Sequence, residues 1–249
     1  MLLMFAGACV APRALAADAD AVASPLPAWL DELRLDGFFS TTYSYNGNRP
    51  DSRTNQLRVF DLADNSFTLD VFELVMQRAV ASPREAGFRV DLALGSALPR
   101  VSSSQGLFRT GSATEDIDMQ QAFASYIAPL GSGLRLDVGK FVTPCGYEVI
   151  EGYDGWNDNA TRSMLFGFAI PFTHTGARAT YTPSRRLTGV LIVVNGWDVA
   201  EDNNRSKTLG GQLLLTPATP FTLTLNGMIG PERSNDGSDA RSLFDGTAV

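Results

Sequence analysis

Charged residues of opposite sign stand two positions apart at two places in this chain: Arg89 and Asp91 flank a valine, and Arg135 and Asp137 flank a leucine. In an extended strand, residues i and i+2 project from one face, so each pair marks a polar face opposite an apolar one. Asp118 and Arg178 sit in comparable surroundings, and His174, the chain's one histidine, precedes Arg178 at an even spacing. Opposed rows of such charges around a water-filled space orient dipolar solutes and set ion preference. An ordinary solvated face has the same signature. A second group, Glu148, Glu151, Asp154 and Asp158, faces only Arg162 within the stretch 142–167. Folded into a passage, that stretch favours cations; as an outer loop it has no such effect.

Other chemistry has few parts to work with. His174 has no second histidine, and the chain contains no G-x-S-x-G stretch, so neither a metal centre nor a hydrolase triad is expected. The acidic runs "YDGWNDN" and "SNDGSD" lack the spacing of a calcium-binding EF-hand loop. Trp156 and Trp197 lie near loop bases, where an aromatic belt would place them; contact with sugars is the alternative. Lys140 is placed so that its ammonium can pair with a loop carboxylate. No catalytic residue and no cofactor are expected.

These residues need elements to carry them. The chain has 249 residues, 44% of them hydrophobic, and a net charge of −7; that acidity argues against nucleic acid as a partner. No apolar run reaches the length of a membrane-spanning helix. A spanning strand, by contrast, needs only about ten alternating residues. The start, "MLLMFAGACVAPRALAADADA", reads as an export signal ending after Ala16, with 17–34 as a periplasmic segment. Acylation at Cys9 is an alternative, but it lacks the leucine expected three residues earlier. With residues 1–16 removed, only Cys145 remains, which excludes an intramolecular disulfide.

Strands are expected at about 35–45, 66–79, 87–96, 116–128, 134–142, 170–181, 187–195, 207–215 and 221–229, with "RSLFDGTAV" opening a tenth. Phe88, Val90, Leu92 and Leu94 alternate with Arg89, Asp91 and Ala93; Leu134, Leu136 and Val138 alternate with Arg135 and Asp137. Phe221, Leu223, Leu225 and Ile229 oppose Thr222, Thr224 and Asn226. Ala177, Ala179 and Tyr181 take the apolar side with Val190, Ile192 and Val194, which leaves Leu191 and Val193 pointing inward. In "FTLDVFELVMQ" a strict period of two groups Glu73 with Phe67 and Leu69, whereas a bulge near Val71 swaps the faces. "QQAFASYIA" allows either side.

The connections alternate short and long. Those at 82–87, 129–133, 182–186 and 216–220 are brief and rich in Pro or Gly; those near 46–65, 97–115, 143–167, 196–206 and 230–241 are long and polar. Such alternation puts all short turns on one rim, as in an up-and-down membrane barrel. A soluble sandwich would mix them between its two ends.

Gly139-Lys140-Phe141, Thr143-Pro144 with Gly146-Tyr147-Glu148, Pro171-Phe172-Thr173-His174-Thr175-Gly176 and Asn195-Gly196-Trp197-Asp198 together resemble the β-barrel porins of the second, OmpL-like group. The resemblance runs from about Gly37 to at least Met228. It implies a Gram-negative outer-membrane protein: an all-β, antiparallel, up-and-down transmembrane β-barrel spanning 35–249, here incomplete with about nine to ten strands. It further implies passive diffusion of small hydrophilic solutes or ions, outer-membrane lipid around the barrel, and a possible homo-oligomer. A structural or adhesive barrel with a plugged lumen remains open, as does a barrel enzyme acting on lipid or saccharide.

Overall fold

A computed structural model describes residues 32–101 and 117–249; the expected export signal and most of the expected periplasmic segment therefore lie outside the described residues. Ten strands form one sheet in strict sequence order, each antiparallel to the next. They are β1 (Arg34–Ser44), β2 (Ser66–Arg78), β3 (Ala86–Leu94), β4 (Ile117–Ala128), β5 (Leu134–Val142), β6 (Thr173–Ser184), β7 (Leu187–Val194), β8 (Thr208–Ala218), β9 (Phe221–Pro231) and β10 (Ala240–Ala248). Among the described residues two helical turns interrupt the connections: α1 (Leu98–Val101) and α2 (Met164–Phe168). Neither was evident in the sequence. In α2 the Ser163 hydroxyl accepts the Phe166 N–H at 3.1 Å, which caps a helix too short to announce itself by periodicity.

An up-and-down order puts alternate connections at opposite ends. The brief ones, 79–85, 129–133, 185–186 and 219–220, share one rim. The long ones, 45–65, 143–172, 195–207 and 232–239, share the other, where β3 also ends and β4 begins. The sheet is not closed, since β1 and β10 do not pair. As described it is an incomplete barrel.

One face is apolar and exposed along its whole width, carrying Phe39, Phe72, Leu74, Leu92, Val138, Leu213 and Phe244 among others. The opposite face holds the buried polar residues Glu73, Asp91, Asp118, Gln121, Asp137 and Asn226. Two bulges keep this segregation intact. In β2 the register against β1 shifts so that Asp70 is the extra residue, which returns Phe67 and Leu69 to the face of Phe72 and puts Glu73 with Val75. The face swap considered from the sequence is thus the one that occurs. In β4 the extra residue is Gln120, and both Gln120 and Gln121 are buried. This resolves the ambiguous strand, with Phe123 and Ser125 on the polar face.

The faces of β7 are reversed from expectation. Leu191 and Val193 are exposed on the apolar face, paired across from Ala179 and Ala177; Val190, Ile192 and Val194 are buried beside Thr180, Arg178 and Gly176. The reason is an apolar island on the otherwise polar face. Ile192 and Val194 pack with Phe123, Phe141, Cys145 and Met228. A strand apolar on both sides leaves alternation nothing to discriminate.

Candidate functional site

The connection 143–172 does not project from the rim. The Thr143 N–H donates to the Phe172 carbonyl at 2.8 Å and closes its base, and the segment then crosses the polar face. The Pro144 carbonyl accepts from Gln212 of β8 at 3.0 Å, and Cys145 seats in the apolar island. The Gly146 N–H donates to Asp245 of β10 at 2.7 Å, and the Tyr153 N–H donates to Glu73 of β2 at 2.5 Å.

Those last two contacts fix the curvature. From β2 to β10 there are eight inter-strand steps, about 38 Å in a flat sheet at about 4.8 Å each. The seven residue-to-residue steps from Gly146 to Tyr153 reach at most about 25 Å, and side chains standing off the sheet add little sideways. The sheet is therefore curled around this segment, and the polar face is its inner face.

The inner-face charges that the sequence singles out are paired. Arg135 and Arg178 both reach Asp137, each at 2.8 Å, and Ser125 donates to the same carboxylate at 2.6 Å. The Arg178 guanidinium also lies over the Phe141 ring, 4.7 Å from its centre. Arg89 is 2.8 Å from both Asp91 and Asp154. Asp118 meets Lys140 at 2.9 Å; the partner of Lys140 is thus a carboxylate of the neighbouring strand, not one in a loop. Six of the seven wall residues singled out in the sequence fall into these three groups.

His174, the seventh, is on the inner face and is buried, as are Asp91, Asp118 and Asp137, but it joins no ion pair among the described residues. Its Nδ1 is 3.0 Å from the Gly196 carbonyl, which can only accept, so Nδ1 carries the proton. Nε2 then accepts from the Thr143 hydroxyl at 3.1 Å. Both ring nitrogens are spent in joining the bases of two long connections. Trp197, at the second of these, lies beneath the Arg241 guanidinium, 3.9 Å away.

Of the loop acids, Asp154 pairs with Arg89 and Glu151 pairs with Arg162, which is itself buried against Phe60. Burial pushes the Glu151 carboxyl up, and Arg162 partly offsets the shift. Glu148 accepts from the backbone and hydroxyl of Ser163, and Asp158 is exposed. Much of the acidic excess visible in the sequence is therefore consumed locally. Three carboxylates to which the sequence assigned no role in the site hold the segment instead. Besides Glu73 and Asp245, Asp198 accepts the Phe172 and Thr173 N–H groups at 2.6 and 2.9 Å. Each is a single acid far along the chain from its partner, so no local spacing marks it.

A family model described as "Putative beta-barrel porin-2, OmpL-like" matches residues 32–249. The chain belongs to this porin family. The match covers every described strand, the inner-face charges and the inserted segment. No curated protein and no solved structure matches. Within this porin the thiol of Cys145 is sealed in the island, where burial pushes it up to about 11; it is packing, not a nucleophile.

Proposed function

We propose that this chain is an outer-membrane channel through which small hydrophilic solutes and ions diffuse passively, and that it performs no covalent chemistry. The observation that carries this reading is the division of the sheet: an exposed apolar face on one side, and on the other paired charges crossed by one inserted segment. An apolar outer band suits hydrocarbon, and a charged inner wall suits water. In this proposal residues 1–16 direct export, 17–34 remain in the periplasm, and 35–249 are embedded with outer-membrane lipid against the apolar face. Arg89, Asp91, Asp118, Arg135, Asp137 and Arg178 border the passage, Glu148, Glu151, Asp154 and Asp158 belong to its narrowing segment, and copies of the barrel associate with one another.

The full-length protein in planar bilayers is expected to give discrete conductance steps. One observation favours a second reading, a structural barrel with a plugged lumen: the apolar island around Cys145 leaves part of the inner face dry. Insertion into the bilayer without steps would decide for the plug. An enzyme acting on lipid is opposed by the engagement of both His174 nitrogens. Phospholipid hydrolysis that vanishes in His174→Ala would revive it.

A further inference from the structure

Between the inserted segment and the wall of β2 and β4 lies a cavity of about 230 Å³, lined by Glu73, Gln120, Gln121, Thr143, Glu148 and Asp154 among others. At about 30 Å³ per water, it holds several water molecules or a partly hydrated ion. Its lining is unbalanced. Glu73 is 2% exposed, and among the described residues no cationic side chain forms an ion pair with it and its donor is the Tyr153 N–H. Arg89, the nearby cation, is already divided between Asp91 and Asp154. Glu148 is held by Ser163, which brings no charge.

A second observation is independent of the acids. Gln120 is the bulged residue of β4 and 3% exposed, and its Oε1 has no hydrogen-bond partner among the described residues. Bulges commonly re-aim a side chain toward a working site. A buried amide oxygen lining the same cavity as a carboxylate that has no cationic partner among the described residues is a ligand set for a positive charge, because hard oxygen donors replace the water that an ion sheds.

We propose that this cavity is a station for permeating monovalent cations, with Glu73 as the selecting carboxylate and the Gln120 amide oxygen as its neutral companion. The inference rests on the channel reading. It moves ion preference from the acids of the segment, where the sequence put it, to one carboxylate of the wall.

The test uses the full-length protein in planar bilayers under a tenfold KCl gradient. The reversal potential is expected to show potassium preferred over chloride. Glu73→Gln retains an oxygen for the Tyr153 N–H and removes the charge, so the permeability ratio should fall several-fold while step size changes by less than about twofold. Glu73→Asp keeps the charge and should keep the preference, which separates electrostatics from a packing defect. Asp51→Asn alters an exposed acid outside the inserted segment and should leave the reversal potential where it was. Chloride preference in the unaltered protein, an unchanged ratio in Glu73→Gln, or equal losses in Glu73→Gln and Glu73→Asp would overturn the assignment. Absence of steps would instead remove the channel reading, and this inference with it.

Discussion

At the scale of the residue, Asp198 shows how a buried acid can serve as a clamp at a cost. It accepts two backbone N–H groups at the base of the inserted segment and adopts a left-handed backbone, φ 52°. Burial nevertheless holds its carboxyl above the usual range. A raised carboxyl folds best in its protonated form, so the stability it confers is present at acid pH and is lost as pH rises through the raised value. Asparagine supplies the same acceptor oxygen without that penalty and tolerates the left-handed region well. Asp198→Asn is therefore expected to match or exceed the parent in urea unfolding from lipid vesicles at neutral pH, with the gap narrowing toward pH 4. Asp198→Ala strands both donors and should lose about 2–4 kcal/mol. A less stable Asn variant at neutral pH would show that the charge itself holds the base together.

At the scale of the element, legibility followed contrast between the two faces of each strand. β3, β5 and β9 alternate charged or hydroxyl residues with large apolar ones, and their faces read correctly from the sequence. β7 reads Val190-Leu191-Ile192-Val193-Val194, and no period orients such a run. Its inner side is set by Phe141, Cys145 and Met228, contributed by two other strands and the inserted segment. The charged wall was legible because Arg135 and Asp137 lie two apart; the fastenings by Glu73, Asp245 and Asp198 were not, because they form only after folding. The reversal in β7 can be tested directly. Leu191→Arg puts a charge on the apolar face and, near the bilayer midplane, should cost about 2–4 kcal/mol of folding into vesicles. Insertion as efficient as the parent's would restore the inward assignment of that strand.

At the scale of the whole molecule, the inserted segment is the feature on which the proposed channel function depends most. Glu148 reaches Ser163, so the ends of the stretch 147–162 lie near one another and can be joined by a short bridge. Excising that stretch leaves Cys145 in its island and removes Tyr153 and Asp154 from the wall. Single-channel conductance should then rise at least about twofold, because conduction scales with open cross-section. Conductance equal to the parent's would mean that the passage does not run beneath this segment.

The ties at Gly146 and Tyr153 have one more consequence. A polypeptide of fixed length between two anchored points is a ruler, and here it limits how far apart β2 and β10 can stand. Each residue added between them would relax that limit by at most about 3.5 Å, and each residue removed would tighten it. The largest solute admitted would then depend on the length of one short stretch of chain as well as on how many strands surround it.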